Sequence, residues 1–194
     1  MRTIVRLGTL ALFPGLLLGA RWLRSIEAVE PIAVGPDVLV AAATPEQLQL
    51  VRWVLGRFEA AGLEAPAVEI EFHGDPGGCG GHLGYARGGR VDLCTSLVNA
   101  MTRRVILHEV AHIWLDQHLA GSIRERFIEL RGLRAWNDST DVWRLRGYEQ
   151  AAEILGWGLG ERILTPTIPD DGPRSLAEGF ELLTGVALPR PTNR

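Results

Sequence analysis

The chain has 194 residues, a formal net charge of -3, and 46% hydrophobic against 22% charged residues. These values are ordinary for one globular domain with a core of its own, and they leave no basic footprint for nucleic acid. Apart from histidine every basic side chain is arginine, and neither repeats nor low-complexity runs interrupt the sequence.

Residues 1–24 stand apart. Arg2 and Arg6 precede an apolar run over residues 7–20, broken by Pro14 and Gly15, and Arg21 and Arg24 follow. The run is short for a membrane span and has the character of a signal-peptide core or an uncleaved anchor. Leu18-Gly19-Ala20 is a poor cleavage site, and the arginines behind it weigh against efficient export. The expectation is a protein exported or held at a membrane through residues 7–20, with residues 25–194 forming one domain. A cytoplasmic protein follows if the segment is not a true signal.

Thr44-Pro45-Glu46-Gln47 reads as a helix start, with Thr44 as N-cap, Pro45 in the first turn and Gln47 completing a capping box. That helix runs to about Ala61 and stops at Gly62, with Leu48, Val51, Val54, Leu55 and Phe58 on its apolar face. Residues 67–72 alternate, so they read as a strand with Val68, Ile70 and Phe72 inward. Residues 73–81 are turn-rich and flanked by His73 and His82, which read as surface residues. Cys79 and Cys94 suit one disulfide in an exported protein; two free thiols suit the spacing equally, and a zinc pair does not. Residues 83–86 and 91–94 read as strands of a hairpin turning at Arg87-Gly88-Gly89-Arg90.

A helix then begins between Thr95 and Thr102 and ends near Leu119, carrying His108-Glu109-Val110-Ala111-His112. This is the His-Glu-x-x-His (HExxH) pattern. Positions four apart share a helix face, so both imidazoles can turn to one zinc ion. Glu109 sits about 100° round the helix, able to reach a water at the metal without ligating it. Met101, Val105, His108, His112 and Asp116 form one stripe; Ile106, Leu107, Val110, Ile113 and Trp114 form an opposite, apolar one that buries the helix.

Downstream, a helix over 122–131 turns Phe127, Ile128 and Leu130 inward, and another covers about 146–162. The loop between them contains Asn137-Asp138-Ser139, a glycosylation pattern too common to weigh. After a proline-rich link, Ser175-Leu176-Ala177-Glu178 reads as a capping box opening a short helix that ends at Gly185.

Catalytic zinc takes three protein ligands and keeps a further position for water. Three residues compete for the third place: Glu149 and Glu153, which share a helix face, and His118. In HExxH and in Tyr148-Glu149-Gln150-Ala151-Ala152-Glu153, the chain resembles the gluzincin group of zincin-like zinc metallopeptidases. The resemblance implies an α+β fold: a small N-terminal β-sheet packed on the HExxH helix, with a mostly helical C-terminal half. It implies Zn2+ held by His108, His112 and Glu149, with Glu153 orienting an imidazole through its other N–H. His108, His112 and His118 have the metzincin spacing, but Leu115 stands where that motif has Gly. Leu115 lets the helix continue and carries His118 away from the pair.

The activity implied is hydrolysis of a peptide or protein substrate, with Glu109 as general base. Residues 83–86 or 91–93 could offer a strand edge to the substrate. Tyr148 is a possible oxyanion donor, Asp116 a possible support for the site, and Trp136 and Trp143 possible cleft walls, packing or surface roles being open to each. A non-catalytic, zinc-stabilised binding or regulatory module is the alternative. Glu109 weighs against it, because holding zinc does not require that carboxylate.

Overall fold

A computed structural model describes residues 30–160 and 166–188. The expected signal or anchor, residues 1–24, lies outside them. The fold is α+β. Its strands are β1 (Ile32–Gly35), β2 (Val38–Ala41), β3 (Val68–His73), β4 (Gly84–Arg87) and β5 (Arg90–Cys94). Its α-helices are α1 (Pro45–Ala60), α2 (Ala100–His118), α3 (Gly121–Leu130), α4 (Gly147–Leu159) and α5 (Pro173–Thr184). No described helix is long and apolar enough to cross a membrane.

Local chemistry accounts for the helix starts that the sequence marks. Thr44 and Gln47 close the reciprocal capping box of α1, with Gln47 N–H donating to Thr44 Oγ1 at 3.3 Å and Thr44 N–H to Gln47 Oε1 at 2.8 Å. Asn99 caps α2 by accepting from the Thr102 amide at 3.0 Å. The capping box expected at Ser175 is not formed. Helix α5 begins earlier, with Gly172 as N-cap and Pro173 in the first turn. The Ser175 hydroxyl instead donates to Asp170 (2.5 Å) and accepts from the buried Arg131 guanidinium (2.5 Å). A buried cation needs oxygen partners, and that demand outweighs a local cap.

The sheet order is β1-β2-β3-β5-β4. Strands β2, β3 and β5 run parallel, and the two edges, β1 and β4, are antiparallel to their neighbours. Val68, Ile70 and Phe72 point into the core as the alternation requires. Strands β1 and β2 are absent from the sequence-based reading; each is held by pairing with its neighbour, β1 on β2 and β2 on β3. The disulfide is formed: Cys79, in a 3-10 turn (Pro76–Cys79), is bonded to Cys94 at the end of β5. It ties down the turn-rich segment that leads into β4.

Helix α2 lies between the sheet and α4, and this corrects the two-stripe expectation. The apolar stripe of Ile106, Leu107, Val110, Ile113 and Trp114 is buried as expected, but Ala111, His112 and Leu115 are buried too, so almost the whole middle of the helix is enclosed. In α3, of the three residues expected inward, Phe127 is fully buried, Ile128 is half-buried and Leu130 is exposed.

Strand β4 crosses α2 at close range. A Cβ added to Gly84 would sit 2.6 Å from Val105 Cγ1 and 2.8 Å from Glu109 Cγ. Gly84→Ala should therefore lower stability by about 1–3 kcal/mol. Gly56→Ala, on α1 with nothing within 4 Å of the added carbon, should be neutral or gain up to about 1 kcal/mol of helix propensity. Urea unfolding of the two variants checks this contrast.

Candidate metal centre

Two helices build the site. Helix α2 carries His108, Glu109 and His112, and α4 carries Glu149 and Glu153 one turn apart. The residues of α4 nearest α2 are small. Ala152 is fully buried and shares a small pocket with Leu107 and His108, and a Cβ at Gly156 would lie 3.5 Å from the His108 amide nitrogen. This close seat brings Glu149 over the histidine pair.

His108 Nε2 and His112 Nε2 are 3.0 Å apart, and Glu149 Oε2 lies 3.3 Å and 3.1 Å from them. His108, His112 and Glu149 thus form a largely buried group that could hold a metal ion. Three atoms able to act as acceptors converge here, and a cation at their common focus serves all three. Burial would raise the pKa of Glu149. Its hydrogen bonds to His108 and His112 and their charge outweigh that and bring it down to about 2, so it is an anionic donor.

Glu109 does not join the group. It faces β4, where its carboxylate accepts the Ala86 amide N–H. Burial raises its pKa to about 7, against the opposing charge of His108, and the nearby Glu149 adds to the rise. Two neighbouring carboxylates thereby acquire opposite tendencies from their surroundings.

Glu153 lies outside this group. Its Oε1 is 3.4 Å from His108 Nδ1, on the far side of the ring from Nε2. His118 lies outside it as well. Helix α2 runs on through Leu115, and the His118 ring is stacked on Trp114 at 5.0 Å on the surface. Tyr148 stacks on the His112 ring, with centroids 4.1 Å apart, and its hydroxyl donates to Asp116 at 3.1 Å. Burial first, and Asp116 second, raise the pKa of that phenol. Asp116 therefore supports Tyr148 and touches neither histidine directly.

A cleft of about 710 Å³ opens over the group, bounded by β4, the outer side of α2 and the segment ahead of α4. Trp143 lines it, with its ring centroid 5.8 Å from that of His108. Trp136 does not; it packs against Phe127 and Tyr148. Strand β4 is the edge of the sheet beside the cleft. Residues 91–93 belong to β5, which is paired on both sides and offers no edge. His82 is exposed at the cleft, and His73 is bonded to Asp92 at 2.8 Å. Glu71, His73 and Asp92 also lie close enough together to hold a cation, but the Arg90 guanidinium bonds both carboxylates and already supplies the charge.

Sequence reasoning missed Arg104, which donates to both oxygens of Glu153 at 3.0 Å and 2.9 Å. The available signal was its place one helical turn before His108. No family model, curated protein or solved structure matches the chain.

The purified protein should bind about one equivalent of a divalent metal. His112→Ala and Glu149→Ala should each weaken binding by more than the roughly 10–100-fold that an outer partner is worth. His118→Ala should leave it unchanged. Titration against a chelating indicator measures all four proteins.

Proposed function

We propose that this chain is a zinc metallopeptidase of zincin-like fold and gluzincin type, which hydrolyses peptide bonds in a peptide or protein substrate. The observation that carries the reading is the convergence of His108, His112 and Glu149 with a separate, half-buried acid, Glu109, beside them. The donor set fits zinc. Bonds of about 2.0–2.2 Å place tetrahedral donors about 3.3 Å apart, close to the separations seen. Nitrogen and carboxylate donors are also what zinc takes in catalytic sites.

The chemistry a zinc ion supplies when bound there is polarisation of a carbonyl and acidification of water. His108, His112 and Glu149 hold and orient it. Glu109 accepts a proton from the attacking water on a carboxylate oxygen and delivers it to the leaving amine nitrogen as the C–N bond breaks. A carboxyl group whose pKa sits near 7 suits both halves of that transfer. The free edge of β4 pairs with an extended substrate backbone. Tyr148 stiffens the His112 ring by stacking and lines the same cleft; turned from Asp116, its hydroxyl is a candidate donor to developing negative charge.

Two apolar side chains flank this centre without serving the core. Trp143 is 39% exposed and Met101 49%, and both line the cleft. They suit a substrate with a large apolar side chain near the bond that is cut. The Cys79–Cys94 bond favours an exported protein or one anchored through residues 7–20, since such bonds persist in oxidising compartments.

The same apolar rim favours the rival reading of a zinc-stabilised binding or regulatory module. Glu109→Gln separates the two. It should retain zinc and lose hydrolysis of a mixed peptide library by at least about 100-fold, within the range of a lost general base. A wild-type chain that binds zinc and cuts nothing in the library points to the binding module. Trp143→Ala should reduce kcat/KM about 10-fold or more for peptides with Phe or Leu at the selected position and spare those with Ala there. Mass spectrometry of the library digests reads the preference.

A further inference from the structure

We infer that Arg104 is a positioning residue for the metal centre: it fixes Glu153 so that the His108 proton stays on Nδ1 and Nε2 is left free for a metal ion. This rests on the metal-centre reading above and adds to it a residue that touches no metal donor itself.

The geometry is a chain of three contacts across α2 and α4. Arg104 lies one turn before His108 on α2. Its Nη2 donates to Glu153 Oε1 at 3.0 Å, to Glu153 Oε2 at 2.9 Å and to Thr167 Oγ1 at 3.2 Å. Both carboxylate oxygens are thus held from one side, and the nitrogen is itself held by the segment ahead of α5. Glu153 is buried, at 7% exposure, and its Oε1 faces His108 Nδ1 at 3.4 Å. That atom is buried and has no hydrogen-bond partner among the described residues, so Glu153 is the acceptor in reach. The gap is a little longer than a hydrogen bond, and a small turn of either side chain closes it.

A bond that merely staples two helices does not need this arrangement. A buried ion pair is often no more stabilising than apolar side chains of the same size. Turned towards the rear nitrogen of a metal-facing imidazole, the pair selects one tautomer of that ring. His112 shows the contrast. Its Nδ1 has no partner among the described residues, and Tyr148 orients the ring by stacking. The two imidazoles are therefore aimed by different means, and only His108 depends on Arg104.

The test measures Zn2+ affinity by chelator competition and the His108 tautomer by imidazole 15N shifts of the metal-free protein. The proteins are wild type, Arg104→Met, Glu153→Gln and the double variant. Each single change should weaken Zn2+ binding about 10–100-fold. The double variant should be no weaker than the weaker single, because both changes break one chain of contacts. The proton should leave Nδ1 of His108 and stay where it was on His112. Arg104→Gln, which keeps the stem but drops the charge, carries the same expectation if Arg104→Met does not fold. Wild-type affinity and tautomer in the Arg104 variant overturn the inference alone, as do losses that multiply in the double variant. A wild-type chain that takes up no Zn2+ overturns the metal-centre reading and this inference with it.

Discussion

The structure depends on the seating of α4 against α2. Three polar donors, two from one helix and one from the other, meet within 3.0–3.3 Å in a largely buried place. Burying such groups costs free energy unless each finds a partner, and an ionised carboxylate is the costliest of them. The two helices can pay that cost only by coming close. Ala152 and Gly156 make the approach possible, because bulky side chains there would hold Glu149 away from the imidazoles.

The sheet contributes the other wall. Its mixed order leaves β4 as the edge next to α2, and Gly84 lets that edge come down onto Val105 and Glu109. One consequence is electrical. Glu109 is closed in between β4 and α2 and its pKa rises, whereas Glu149 faces two imidazoles and its pKa falls. Identical side chains acquire opposite tendencies from burial on one side and charge-assisted hydrogen bonds on the other. The Cys79–Cys94 bond anchors the segment that feeds β4, so the position of the cleft wall is tied to the parallel core of the sheet.

Much of this was legible before any coordinates. Helix periodicity places His108 and His112 on one face and Glu149 and Glu153 on another, because the spacing of four is a property of the helix itself. The capping box at Thr44, the strand read at 67–72 and the hairpin into β5 are likewise short-range signals, each decided within a few residues. The failures have a common cause. Ser175 was drawn from a local cap to a buried arginine 44 residues earlier in the chain. Leu130 remained exposed, and β1 and β2 are strands because β3 pairs with β2 and β2 with β1.

What the sequence determined by itself was the set of donors and their spacing along each helix, since a helix fixes the direction of its side chains with no help from elsewhere. Which carboxylate meets the histidines, and which stands behind one of them, was decided only when α4 settled on α2. The same packing buried α2 nearly all round, left His118 on the surface and brought Arg104 to Glu153. Those outcomes depend on the distance and rotation between two helices, quantities that no local pattern encodes.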